Sequence, residues 1–167
     1  ITKYNKFEAN RNNLSHFSVR SLCVDRAGTL WVGTYSGGVN YYNPLNNRFV
    51  FYHPLGNSEQ KLYNIFGPMV YSTGSLWIAT EGGGLLQFNP ATKEYTNYLL
   101  EERPVGMHNK NIIKSLMIER ESIWCGTNNG GLYRFHIPTK RFSLIHQFNE
   151  KNLGIYSIYR DSNEDIW

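Results

Sequence analysis

The chain has 167 residues, 41% hydrophobic and 18% charged, with a formal net charge of +4 from 17 Lys and Arg against 13 Asp and Glu. That apolar content is enough to bury a real core and fits a soluble globular chain. No run of 18 apolar residues suggests a spanning helix, Ile1-Thr2-Lys3-Tyr4 lacks the layout of a secretory signal, and the basic residues are scattered rather than gathered into a nucleic-acid footprint.

In chain order, residues 1–10 carry Thr2-Lys3-Tyr4-Asn5-Lys6-Phe7, expected to be an outer strand left from a preceding unit. Residues 18–53 read as four short strands rich in β-branched and aromatic side chains, separated by Gly, Asn, Asp and Pro. Strand a is Val19 to Val24, ended by the turn Asp25-Arg26-Ala27-Gly28. Strand b is Leu30 to Thr34, strand c is Val39 to Tyr42 before Asn43-Pro44, and strand d is Arg48 to Tyr52. Residues 64–99 and 111–146 repeat this order with one residue fewer between a and b, their strand a cores being Ile65 to Tyr71 and Ile112 to Ile118. Residues 154–167 begin the order again with the longer turn and reach Trp167.

Self-similarity makes the assignment firm. Trp31, Trp77, Trp124 and Trp167 are spaced by 46, 47 and 43 residues, and a period of roughly 40 to 50 residues signals a propeller or array. Leu30-Trp31-Val32-Gly33-Thr34 aligns with Leu76-Trp77-Ile78-Ala79-Thr80 and with Ile123-Trp124-Cys125-Gly126-Thr127. A glycine pair follows each time: Gly37-Gly38, Gly83-Gly84, Gly130-Gly131. The fold expected is all-β, a partial β-propeller of four-stranded antiparallel blades, about three and a half of them. Tryptophan fills the wedge between blades, the glycines permit positive φ at the b–c junction, and Asp25, with Asp161 in the corresponding turn, can bond its own backbone. Cys23 and Cys125, about a hundred residues apart, are expected to be unbridged buried hydrophobes.

The pattern Val-x-x-Leu-x-x-Asp-x-x-Gly-x-Leu-Trp-Val-Gly-Thr-x-x-Gly-Gly-Val-x-x-Tyr-Asn-Pro in residues 19–44 resembles the two-component regulator propeller repeat. Departures are Ser72 where Asp25 would stand, Ala79 for Gly33, Glu121 for Gly28, and His136-Ile137 for Asn-Pro. The resemblance implies a ligand-sensing input segment of a hybrid two-component histidine kinase of Bacteroidetes type. Such a segment would be periplasmic, detect an oligosaccharide and pass a signal across the membrane as one part of a larger receptor.

Ligand-binding loops on a propeller are sought where d–a linkers and b–c hairpins converge near the central channel. The b–c tips offer Tyr35, Glu81, Asn128 and Asn129, and the linkers offer His16, His53, Tyr63, Arg103, His108 and Lys110. Aromatic faces suit sugar rings, Asn, Glu and Arg suit hydroxyls, and the basic excess favours an acidic oligosaccharide. The only aspartates are Asp25, Asp161 and Asp165, and no H-x-x-x-H pair accompanies the linker histidines. No catalytic residue, metal or cofactor is therefore expected. A glycan lyase or glycosidase and a protein-interaction scaffold are the alternatives. The remaining blades of the receptor, or a second copy at the open blade edges, are the expected protein partners.

Overall fold

The computed structural model describes residues 13–43, 45, 48–52, 66–100, 111–128, 130–147 and 153–167. The outer strand expected within 1–10 lies outside them, as do His53, Tyr63, Arg103, His108, Lys110 and Asn129.

Twelve strands form three four-stranded antiparallel sheets, and no helix occurs among the described residues. The first sheet holds β1 (Val19–Val24), β2 (Leu30–Thr34), β3 (Val39–Asn43) and β4 (Arg48–Tyr52). The second holds β5 (Phe66–Ser72), β6 (Ser75–Thr80), β7 (Leu85–Asn89) and β8 (Glu94–Tyr98). The third holds β9 (Ile113–Glu119), β10 (Ser122–Thr127), β11 (Leu132–His136) and β12 (Arg141–His146). Each sheet is a simple meander in which sequence neighbours pair. The expected propeller architecture is thus observed. The first strands stand side by side, β1 against β5 and β5 against β9. β5 and β9 extend one residue beyond their expected cores, to Ser72 and Glu119. After β12 a further hairpin starts, with Tyr159 and Trp167 exchanging backbone hydrogen bonds of 2.9 and 2.8 Å.

The core lies between blades. Trp31 and Val39 of the first blade pack with Met69, Leu76, Ile78, Leu86 and Phe88 of the second. Trp77, Ala79 and Leu85 of the second pack with Ile113, Ile123, Cys125, Tyr133 and Phe135 of the third. In both seams the strand b tryptophan meets a strand c phenylalanine of the next blade, Trp31 to Phe88 at 5.9 Å and Trp77 to Phe135 at 5.4 Å. Fully burying each large side chain stabilises by about 1.5–3 kcal/mol. Lys140 closes the second seam with its ammonium 4.9 Å above the Trp77 ring and 5.6 Å from that of Tyr98. Burial lowers its pKa. Cys125 is buried and its thiol pKa is pushed up, whereas Cys23 is only half-buried, and both are free.

A second role of the tryptophans fixes the turns. Asp25 Oδ1 accepts the N–H groups of Ala27 and Thr29, both at 2.9 Å, and Oδ2 accepts Trp31 Nε1–H at 3.0 Å, with Gly28 at φ 81°. Asp161 repeats this with Asn163, Asp165 and Trp167, and Glu164 takes the left-handed position at φ 69°. In the third blade the turn is one residue shorter and Glu119 accepts Trp124 Nε1–H at 2.6 Å. The longer side chain makes up for the missing residue. In the second blade Ser72 is too short to do so, and the buried Trp77 Nε1 finds no acceptor. The departure of Glu121 from glycine is explained too: the left-handed residue of this turn is Arg120, at φ 49°.

Ala79 is accommodated by the strand beside it. A Cβ at Gly33 would stand 2.5 Å from Ser21 Oγ and one at Gly126 2.2 Å from Ser115 Oγ, but the second blade has Gly67-Pro68 at this place and Ala79 Cβ fits. His136 likewise replaces asparagine without loss of the c–d turn. Lys140 N–H donates to its carbonyl as Lys93 N–H does to that of Asn89, with Lys140 and Lys93 at φ 56° and 63°.

Asp25→Ala removes three hydrogen bonds to a carboxylate and is expected to destabilise the chain by about 2 kcal/mol, read by urea unfolding. Burial works to raise the Asp25 pKa, but the bonds from Trp31, Thr29 and Ala27 outweigh it and hold it below the usual value. Its stabilisation is therefore full above the unfolded Asp value of about 3.9 and is lost as pH falls through the lower folded value. The difference between wild type and Asp25→Ala should shrink over that window. Gly131→Ala would set a Cβ 2.2 Å from the His146 carbonyl at φ 98°, and should cost more than about 1 kcal/mol in the same assay.

Candidate functional site

The b–c tips are held by the threonine that ends strand b. Thr34, Thr80 and Thr127 each donate both the backbone N–H and Oγ1–H to one carbonyl, that of Gly38, Gly84 or Gly131, at 2.8–3.1 Å. The acceptor glycines have φ of 78°, 73° and 98°, while the first members of the first two pairs, Gly37 and Gly83, do not adopt positive φ. The residue after each threonine, Tyr35, Glu81 or Asn128, therefore projects from an equivalent, tightly fixed position.

The linkers lie directly against these tips. Tyr35 N–H donates to the Ser18 carbonyl at 2.9 Å, Asn128 N–H to the Ile112 carbonyl at 2.9 Å, and Glu81 is bridged to Ile112. Ser15 N–H reaches the Oδ1 of buried Asn40 at 2.9 Å, and Asn40 Nδ2 returns a bond of 2.9 Å to Ser15 Oγ. Gly37 allows this approach, since a Cβ there would stand 2.5 Å from Ser15 Oγ and 2.9 Å from His16 Cβ.

Tyr35, Glu81 and Asn128 are each joined by a residue near the start of a strand a, a position that holds Arg20, Gly67, Lys114 and Tyr156 in the four repeats. Lys114 Nζ lies 2.5 Å from Glu81 Oε1, and Tyr156 Oη donates to Asn128 Oδ1 at 3.3 Å, so two tips engage the following repeat. Arg20 lies over the Tyr35 ring at 4.9 Å. His16 stands 6.2 Å from Tyr35 and stacks on Phe17 at 4.5 Å. The row is polar, aromatic and mostly accessible. Reading loops alone misses Arg20 and Lys114, which sit in strands, and Phe17 and Tyr156 are not among the residues nominated from sequence. The signal available was that this strand a position varies in chemistry from blade to blade while its neighbours repeat.

Four carboxylates among the described residues have structural partners. Asp25 and Asp161 hold turns and indoles, Glu81 holds Lys114, and Glu119 accepts both Trp124 and Arg160. Among the described residues no three His, Cys, Asp or Glu gather as metal ligands would. A cleft of about 390 Å³ lined by Glu119, Arg120, Glu121, Ser122, Arg134 and His136 lies at the opposite ends of the strands, among a–b and c–d turn residues.

Three meander blades wedged by tryptophan and capped by paired glycines make this chain a segment of a β-propeller. Residues 14–36 match the family described as two component regulator propeller, in agreement with the resemblance carried by the repeat. Among solved structures the chain is similar to the extracellular domain of BT4673 from B. thetaiotaomicron, assigned there to a hybrid two component system. The identity is 28% and the TM-score 0.72, over 96% of this chain and 21% of that one. The extracellular domain of BT3049 from the same organism, with the same assignment, shares 21% identity at TM-score 0.64, over 83% of this chain and 19% of that one. Streptogramin B lyase shares the fold alone, at 11% identity and TM-score 0.70, over 96% of this chain and 49% of that one. The chain spans about a fifth of the length of the extracellular domains it resembles. No curated protein sequence matches it.

Glu81→Gln breaks the bond that ties a tip to the next blade. The pair is partly exposed, so the expected loss is below about 1 kcal/mol at low salt and less at high salt. A double-mutant cycle with Lys114→Gln, followed by urea unfolding at both salt concentrations, measures it.

Proposed function

We propose that this segment belongs to the extracytoplasmic, periplasmic input region of a hybrid two-component sensor kinase. In this reading it contributes blades to a propeller that binds an oligosaccharide through its tip and linker residues and passes the signal across the membrane. The observation that carries the reading is 28% identity along 96% of the chain to an extracellular domain assigned to such a system. The site geometry supports it: Tyr35, Glu81 and Asn128 recur at one position with different chemistry on a rigid frame, as a surface that recognises varied groups requires.

Further blades of the same receptor cover the exposed apolar side chains at the two ends of the row, Leu22 and Val24 at one and Tyr159 and Trp167 at the other. A second copy is the competing occupant of these faces. Light scattering on the full-length protein separates the two, a monomer being expected if its own blades cover these faces and a dimer if a second copy does.

The function is tested by calorimetric titration of the full-length protein with a panel of neutral and acidic oligosaccharides, with product analysis of the same samples. Saturable binding without turnover is the expected result. Release of cleaved product would replace the sensor reading with a glycan-processing enzyme, and silence across the panel would favour a protein-binding scaffold.

A further inference from the structure

The first blade differs from the other two at its tip. Where the second and third blades place Glu81 and Asn128, the first places Tyr35, and where they hold Gly67 and Lys114 in strand a, it holds Arg20. The result is a continuous row of flat groups. Phe17 stacks on His16 at an interplanar angle of 22°, His16 lies tilted by 39° to Tyr35 at 6.2 Å, and the Arg20 guanidinium lies over Tyr35 at 4.9 Å. The row is built, not incidental. Asn40, Gly37 and the Tyr35–Ser18 backbone bond press the linker onto the tip, and His16 Nδ1 accepts Ser18 N–H at 3.0 Å, which fixes the ring. With Nδ1 occupied as an acceptor, neutral His16 carries its proton on Nε2 and offers a donor. Yet the outer surfaces stay open: Phe17 is 71% and Tyr35 39% exposed.

An aromatic surface held beside a guanidinium matches one kind of ligand unit in particular. A uronic-acid ring presents an apolar C–H face on one side and a carboxylate on its edge. The first suits Phe17 and Tyr35, and the second suits the planar fork of Arg20, which bonds carboxylate bidentately. A neutral hexose would leave the guanidinium without a charged partner, and the equivalent cation of the third blade, Lys114, is already engaged by Glu81.

We infer that Phe17, His16, Tyr35 and Arg20 form a subsite for a carboxylate-bearing sugar residue, with Arg20 as the group that selects for charge. This rests on the oligosaccharide-binding reading above and narrows it to an acidic class at a named corner of the first blade.

The test uses the full-length protein and uronate-containing disaccharides of the gluco, galacto and manno series, each beside its carboxyl-reduced, neutral counterpart. At least one acidic disaccharide should bind about tenfold or more tightly than its reduced form, and that advantage should disappear in Arg20→Gln and return in part in Arg20→Lys. Phe17→Ala should weaken the acidic and reduced forms alike. Arg20 is exposed, so Arg20→Gln should melt with wild type, which separates loss of the subsite from loss of fold. Equal binding of acidic and reduced forms, or an acidic preference that survives Arg20→Gln, would overturn the subsite while leaving the oligosaccharide reading in place. Absence of binding by every member of both sets would overturn both.

Discussion

The structure depends on one contact made twice: the strand b tryptophan of the first and of the second blade inserted against the strand c phenylalanine of the next. A single four-stranded meander has two apolar faces and cannot bury either by itself. Trp31 on Phe88 and Trp77 on Phe135 turn these liabilities into the only sizeable core the described residues possess. Because Trp31 also sends its indole N–H to Asp25 of the a–b turn, packing between blades and turn shape within the first blade are coupled through one side chain. The tips inherit their rigidity from this arrangement, since strand b carries the wedge at one end and the capping threonine at the other.

That rigidity is what makes the tip surface useful. The backbone beneath Tyr35, Glu81 and Asn128 is nearly the same, so what a blade offers to a ligand or a neighbour is decided by two or three side chains placed on a common frame. The second tip spends its charge on the third blade through Lys114, and the third spends its amide on Tyr156. The first tip keeps its aromatic and cationic groups together and directed outward.

Much of the fold was legible in the sequence because its determinants are periodic. Tryptophans, glycine pairs and turn aspartates have geometric duties that recur with each blade, and a duty that recurs leaves a repeating letter. What escaped were exchanges that conserve geometry with different letters. Ser72 in place of Asp25 was visible, but the use of Glu119 to compensate a shortened turn was not, since it requires knowing how far the carboxylate must reach. The candidate site was less legible for a related reason. Tyr35, Glu81 and Asn128 could be nominated as loop residues, whereas Arg20 and Lys114 sit in strands, and the contacts of Lys114 and Tyr156 cross from one repeat to another.

The unmatched indole of the second blade has an optical consequence. Trp77 is fully buried and without a hydrogen-bond acceptor, while Trp167 is 75% exposed and bonded to a carboxylate. Indole emission shifts to the blue in a dry, unbonded setting and to the red in water. The chain therefore carries a distinct intrinsic lamp at the seam between its second and third blades. Opening of that seam will register as a red shift of the Trp77 emission.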